Sequence, residues 1–157
     1  MSAQQPHPII LDLMGGDFGP SLVIKAANLA LDEGLGPLTL VSPSDVWSQV
    51  PKAVADRVTW LEATEIIGMN ESPARVARSK KQSTMHIGMR ALREGEGCAF
   101  ITAGNSGAAL AVGLTTLKRL KGCDRPAIAS MLPTAKGEVV LLDLGANTDV
   151  RPAQFAQ

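Results

Sequence analysis

The sequence predicts an α/β fold, a mostly parallel sheet covered by helices on both faces, and three observations carry that expectation. Short apolar runs alternate with segments of helical spacing along most of the chain. The first run, "PIILDLMGGD", is near-continuously apolar, as in a strand buried on both faces. Gly, Pro or Asn punctuates the passages between strand-like and helix-like segments.

In that first run Ile9, Ile10, Leu11, Leu13 and Met14 form a strand that Gly15, Gly16 and Asp17 stop. Pro20 suits the first turn of a helix, and Val23, Ala26, Ala27, Ala30 and Leu31 recur at helical spacing behind it. Gly34 or Gly36 ends that helix. "PLTLVS" and "RVTWLEA" read as the second and third strands, with a short helical piece between them that Pro51 interrupts. "STMHIGMRALREGEG" reads as a helix with Ser83 or Thr84 as its cap and Met85, Met89 and Leu92 on one face. "CAFITA" is a fourth strand. "NSGAALAVGLTTLKRLKG" is the next helix, with a stripe of Leu110, Leu114 and Leu117, and with Lys118, Arg119 and Lys121 in a last turn closed by Gly122. "PAIASMLP" and "EVVLLDLG" supply two more strands; the second is apolar enough to be a central one. "PAQFAQ" reads as the start of a helix. The segment "EIIGMNESPARVARSKKQ", residues 65–82, is polar and basic and reads as a long route from strand to helix.

The 157 residues suffice for one domain with a real core, and a hydrophobic fraction of 45% provides it. Only 3% of residues are aromatic, so stacking platforms for single-stranded nucleic acid are not expected. Fifteen basic residues balance fifteen acidic ones, which leaves no global field to draw in nucleic acid or anionic lipid. Cys98 and Cys123 have neither metal-ligand nor disulfide spacing and read as reduced structural thiols. No signal-peptide pattern opens the chain, and no run approaches the roughly 20 apolar residues of a membrane span. A cytoplasmic protein is the expectation.

In open α/β sheets ligands bind at the carboxyl ends of the strands. Three such ends carry related chemistry here: Gly15-Gly16-Asp17, Gly104-Asn105-Ser106-Gly107 and Gly145-Ala146-Asn147-Thr148-Asp149. Glycine admits a ligand close to the backbone, a following helix aims free N–H groups at it, and Asn, Ser or Thr adds neutral donors. Together they describe a pocket for an anion or a carbonyl oxygen; taken singly, each loop is equally a capped helix start. The G-x-G-x-x-G, Walker and G-x-S-x-G fingerprints are all missing. His7 and His86 offer little for a catalytic triad, and His86 reads as a plain surface or core residue. An anion cradle without a nucleophile suggests that the anion itself attacks, as phosphate can attack a thioester once it is oriented and its charge relieved.

"ILDLMGGDFGP", "STMHIGMRALREGEGCAFITAGNSGAALA", "LKRLKGCDRPAIA" and "LLDLGANTDVRPAQFAQ" resemble, in order, motifs of the bacterial phosphate acyltransferases of phospholipid synthesis. The match spans nearly the whole chain. Where the family usually has Ala-Gly-Asn-Thr-Gly, Ser106 keeps the hydroxyl; where it has Asn-Val-Asp, Thr148 is a conservative departure. The resemblance implies transfer of a fatty acyl group from acyl carrier protein to inorganic phosphate, without metal or organic cofactor. It implies a three-layer α/β/α fold like that of phosphotransacetylases and of isocitrate and isopropylmalate dehydrogenases, incomplete here. Residues 1–157 would be the N-terminal part of a single catalytic domain. The absent part would complete the sheet and carry helices for homodimerisation and for docking the carrier protein or a membrane surface.

Under that resemblance Gly15, Gly16, Gly104, Asn105, Ser106 and Gly107 bind phosphate or the thioester oxygen, and Asn147 adds a neutral donor. Asp17 and Asp143 orient the loops, Asp17 alternatively serving as a helix cap. Arg75, Arg78, Lys80 and Lys81 meet the acidic carrier protein or the phosphate, or are simply a solvated loop. Two rival readings remain: a phosphotransacetylase-like enzyme acting on a coenzyme A thioester, and an inactive half-chain that only binds a partner.

Overall fold

A computed structural model describes residues 7–143 and 151–155. The chain divides after Leu117 into two units.

The first unit runs β1 (Ile9–Asp12), α1 (Pro20–Asp32), β2 (Leu38–Ser42), α2 (Ser44–Trp47), α3 (Lys52–Ala55), β3 (Thr59–Glu62), α4 (Pro73–Ser79), α5 (Thr84–Glu94), β4 (Ala99–Ile101) and α6 (Ser106–Thr116). Its four strands form one parallel sheet in the order β3-β2-β1-β4. β1 is therefore an inner strand, in register with both neighbours: Leu11 lies beside Leu40 on one side and Ile101 on the other. Pleating sends Ile9, Leu11 and Leu13 to one face, where Leu38 and Leu40 meet Ile24 and Ala27 of α1, Val46 of α2 and Val54 of α3. It sends Ile10 and Val41 to the other face, against Ala91 of α5. Helices thus cover both faces, in a three-layer α/β/α arrangement, as expected. Ile10, Leu13, Leu40 and Val41 are all fully buried, each contributing roughly 1.5–3 kcal/mol of transfer free energy.

A third cluster packs helix on helix. Val76 and Ala77 of α4, Met85 and Met89 of α5, and Ala108 and Val112 of α6 enclose one another. Here the sequence expectation needs correcting. α6 ends at Thr116, and Lys118 follows with φ 70°, so Lys118, Arg119 and Lys121 lie beyond the helix rather than in its last turn. Its buried stripe is Ala108, Val112 and Thr116, not Leu110, Leu114 and Leu117. The small residues let α4 come close: a side chain at Gly107 would meet Pro73 Cγ at 2.9 Å. The basic route of residues 65–82 is also not all loop, since it contains α4 with Pro73 in its first turn.

The second unit holds β5 (Ala129–Thr134), β6 (Gly137–Leu142) and α7 (Pro152–Phe155). β5 and β6 form an antiparallel hairpin, in register from Ala129↔Leu142 to Thr134↔Gly137. At its turn Thr134 Oγ1 donates to Gly137 O at 3.0 Å and accepts Lys136 N–H at 3.3 Å. "EVVLLDLG" was expected as a central strand; among the described residues β6 has one strand partner, β5.

Candidate active site

The carboxyl ends of β1 and β4 lie side by side, and the loops that leave them touch. A Cβ placed on Gly15 would come within 2.7 Å of Ala103 N and 2.8 Å of Gly104 N. Only a residue without a side chain lets these two backbones meet. Gly16 has φ 104°, a conformation other residues adopt at a cost. At Gly104 a Cβ would lie 2.7 Å from Met85 Cε, the movable end of a flexible side chain, so the demand for glycine is weaker there. The missing side chain at Gly15 thus serves an approach of protein to protein.

Beneath the contact sits a residue that the sequence reading passed over. Asp12, the last residue of β1, is only 2% exposed. Its Oδ1 accepts Met14 N–H at 2.9 Å and its Oδ2 accepts the Thr102 hydroxyl at 2.8 Å; the Thr84 hydroxyl is a further partner. Thr102 Oγ1 in turn accepts Gly104 N–H at 3.1 Å. Burial pushes the Asp12 carboxyl above the usual carboxylate range, and the hydrogen bonds from Thr84, Thr102 and Met14 offset this only in part. The signal was present in the sequence: a carboxylate inside an apolar run, in a strand read as covered on both faces, needs partners.

Asn105 caps α6, its Oδ1 accepting Ala108 N–H at 2.9 Å. Its Nδ2 donates to Met69 O at 2.8 Å and Glu71 O at 3.1 Å. The amide that was read as a neutral donor for a ligand thus fastens the 68–71 turn to the start of α6. Glu71 Oε1 closes the same turn by accepting Gly68 N–H at 2.8 Å. Lys80 Nζ braces it, donating to Ile66 O at 2.6 Å and to Glu71 Oε1, and this hydrogen bond from Lys80 holds the Glu71 carboxyl below its usual range. Ser106 is the first residue of α6 and is exposed. The backbone N–H groups of its first turn present the positive end of the helix, which begins two residues after the Ala103-Gly104 segment that Gly15 meets.

The other candidate residues are spread more widely. Asp17 is exposed and does not cap α1: the N-cap is Gly19, at φ 70°, without a side-chain hydrogen bond. Of the basic four, Lys80 and Lys81 donate to backbone carbonyls of their own segment, Ile66 O and Ala77 O. Arg75 and Arg78 stay exposed on α4 and line a shallow, open depression with Ser72, Ala74 and Ser79. Asp143 belongs to the second unit, where its N–H donates to Ile128 O at 2.7 Å. Asn147 lies outside the described residues, so two of the three strand-end loops are in view.

His86 is buried, the second of the two plain roles, surface or core, expected of it. Ala77 O, 3.3 Å from Nε2, can only accept, so Nε2 carries the proton and Nδ1 accepts the Ser83 hydroxyl at 2.9 Å. Burial pushes the imidazole below its ordinary pKa. Cys98, at the amino end of β4 and away from the loops, donates to His7 O at 3.2 Å. Among the described residues no helix is long and apolar enough to cross a membrane, and no His, Cys, Asp and Glu side chains cluster as metal ligands.

Comparison with known proteins gives this geometry a context. The chain is 40% identical over 151 residues to a phosphate acyltransferase of Desulfitobacterium hafniense, covering 95% of this chain and 45% of that protein. It is 41% identical over 151 residues to a phosphate acyltransferase of Thermoanaerobacterium thermosaccharolyticum, 95% of this chain and 44% of the relative. It is 38% identical over 152 residues to one of Pelobacter propionicus, with 95% and 44% covered. The chain therefore spans a little under half the length of the curated relatives it matches. The family model described as fatty acid synthesis protein matches residues 8–157, and the chain belongs to that family.

Proposed function

We propose that this chain is the phosphate-cradling part of an acyltransferase that moves a fatty acyl group from acyl carrier protein to inorganic phosphate, giving acyl phosphate for phospholipid synthesis. The observation that carries the reading is the contact between the Gly15-Gly16 loop and the Thr102-Ala103-Gly104 segment that leads into α6, at the carboxyl ends of adjacent parallel strands. The name shared by the relatives supports the same chemistry.

Phosphate would lie against the N–H groups of Gly15, Gly16, Ser106 and Gly107, with the Ser106 hydroxyl as a neutral donor. These groups relieve its charge without a counter-ion and aim one oxygen at the thioester carbonyl. The phosphate oxygen–carbon bond forms, the carbonyl oxygen takes negative charge, and the carbon–sulfur bond then breaks. The sulfur leaves as a thiolate and is protonated from solvent. A donor at the oxyanion position contributes about 3 kcal/mol to such a step. Asn105 supports the cradle as the cap that sets the first turn of α6, while Asp17 stands at its open rim. Arg75 and Arg78, exposed on α4, suit the acidic surface of a carrier protein.

The test is acyl phosphate formation with phosphate and either an acyl carrier protein thioester or the matching coenzyme A thioester. The carrier-protein thioester is expected to be turned over faster. Turnover confined to coenzyme A would move the reading to a phosphotransacetylase-like enzyme. No turnover with either, alongside binding of acyl carrier protein, would make the chain a binding module.

A further inference from the structure

We propose that Asp12 is the positioning residue of the phosphate cradle, its carboxylate fixing the β1 and β4 loops against each other through the Thr102 hydroxyl. The proposal rests on the phosphate reading above and extends it to a residue that does not touch the ligand.

Asp12 sits where a carboxylate is costly. It is the end residue of an inner strand, 2% exposed, on the face that α5 covers, and no ion pair among the described residues includes it. Val, Ile or Leu would pack this position without that cost. What the carboxylate adds is direction. Oδ2 accepts the Thr102 hydroxyl proton from 2.8 Å, which orients that hydroxyl. Thr102 then has lone pairs to offer, and one of them takes Gly104 N–H at 3.1 Å. On its other oxygen Asp12 holds Met14 N–H at 2.9 Å, which sets the chain one residue before Gly15. A single side chain thus fixes the entry to the first loop and, through one hydroxyl, the entry to the second. Every donor in the array is neutral, so Asp12 brings no cation near the cradle.

The relay makes separable demands. Asp12→Asn keeps the shape but replaces one of the two acceptor oxygens by a donor, so either the Thr102 hydroxyl or Met14 N–H loses its partner. Thr102→Val keeps the shape and removes the hydroxyl, whereas Thr102→Ser keeps the hydroxyl. In acyl phosphate assays Asp12→Asn and Thr102→Val are expected to raise the phosphate concentration for half-maximal rate about tenfold or more, the scale of a hydrogen bond to an ionised carboxylate. The half-saturating acyl donor concentration should stay unchanged, and Thr102→Ser should remain near wild type. The double variant should be no worse than the poorer single one, because the two residues act as one relay. Inorganic phosphate should raise the melting temperature of the unaltered chain and of Thr102→Ser, but much less that of the other variants. If Asp12→Asn does not fold, Thr102→Val against Thr102→Ser reads the same relay.

An active wild type whose phosphate dependence is unmoved by these changes would overturn the proposal and leave the phosphate reading standing. So would independent, additive losses in the double variant. A wild type that neither forms acyl phosphate nor is stabilised by phosphate would overturn the phosphate reading, and the role of Asp12 with it.

Discussion

The loop after β1 and the loop after β4 are written in the same residue types, glycine with a small polar side chain, and are built in opposite ways. Residues 102–105 pass directly into an eleven-residue helix whose start is capped by the Asn105 side chain. Residues 13–19 take a longer path with positive φ at Gly16 and Gly19, reach α1 without a side-chain cap, and leave Asp17 and Phe18 exposed. One loop is set at its far end by its own Asn105 cap and at its entry by Thr102, which Asp12 orients. The other is set by contact with the first and by Asp12 beneath it. Two glycine-rich turns at one sheet edge can therefore differ in what holds them, and substitutions should tell them apart.

The largest effect is expected where the loops meet. At Gly15 a methyl would press on the backbone nitrogens of Ala103 and Gly104, and on Thr102 Oγ1 at 2.8 Å, none of which is the free end of a flexible side chain. Gly15→Ala should cost about 3 kcal/mol, the upper range for overpacking. That corresponds to a fall of roughly 10 °C in Tm for a chain of this size. Thermal unfolding followed by circular dichroism measures it. An unchanged Tm would show that the loops are not in contact, and the comparison would lose its basis.

A smaller and more local effect is expected at Asn105. Asn105→Ala removes the α6 cap, about 1 kcal/mol, and leaves the carbonyls of Met69 and Glu71 without their amide donor. Asn105→Asp keeps an acceptor for Ala108 N–H but cannot donate to those carbonyls. Both variants should speed amide hydrogen exchange over residues 68–71, whereas only the Ala variant should also loosen the first turn of α6. Exchange in residues 13–19 should be unchanged in each. Faster exchange there would mean that the Asn105 bonds also hold the first loop.

Much of this was legible in the sequence because it rests on periodicity. β1 to β4, α1 and α5 follow from apolar runs and from Met85 and Met89 at helical spacing, with Ser83 as cap. The stripe of α6 was misassigned because leucine is the stronger hydrophobic signal, while close packing against α4 requires Ala108, Val112 and Gly107. α4 was hidden by its charges, although Ser72-Pro73 followed by Val76 and Ala77 is a helix start with an apolar face. The loops were found through their glycines, but periodicity could not reveal what Gly15 and Gly104 face. That depends on which strands become neighbours. Asp12 was passed over for the same reason: its partners Thr84 and Thr102 are distant in sequence and meet it only once β4 lies beside β1.

The smallest expected effect sharpens the comparison at the open rim. Asp17 is exposed, does not cap α1, and lies on the loop that lacks hydrogen bonds from its own cap. Asp17→Asn should leave the stability within about 0.5 kcal/mol of wild type, as for most surface changes. If phosphate binds beside Gly16, removal of this negative charge should lower the phosphate concentration needed for half-maximal rate. A solvated charge acting at the surface contributes on the order of 0.2–1 kcal/mol, so the gain should be about twofold. It should shrink as salt is added, because exposed charges are screened over roughly 8 Å at physiological ionic strength. Buried contacts are screened far less, so the losses in Asp12→Asn should persist at the same salt. Steady-state rates across a phosphate series at two ionic strengths separate these outcomes. A salt-insensitive rise in the phosphate requirement would show instead that Asp17 orients the first loop through its own hydrogen bonds, making that loop as self-supporting as the second.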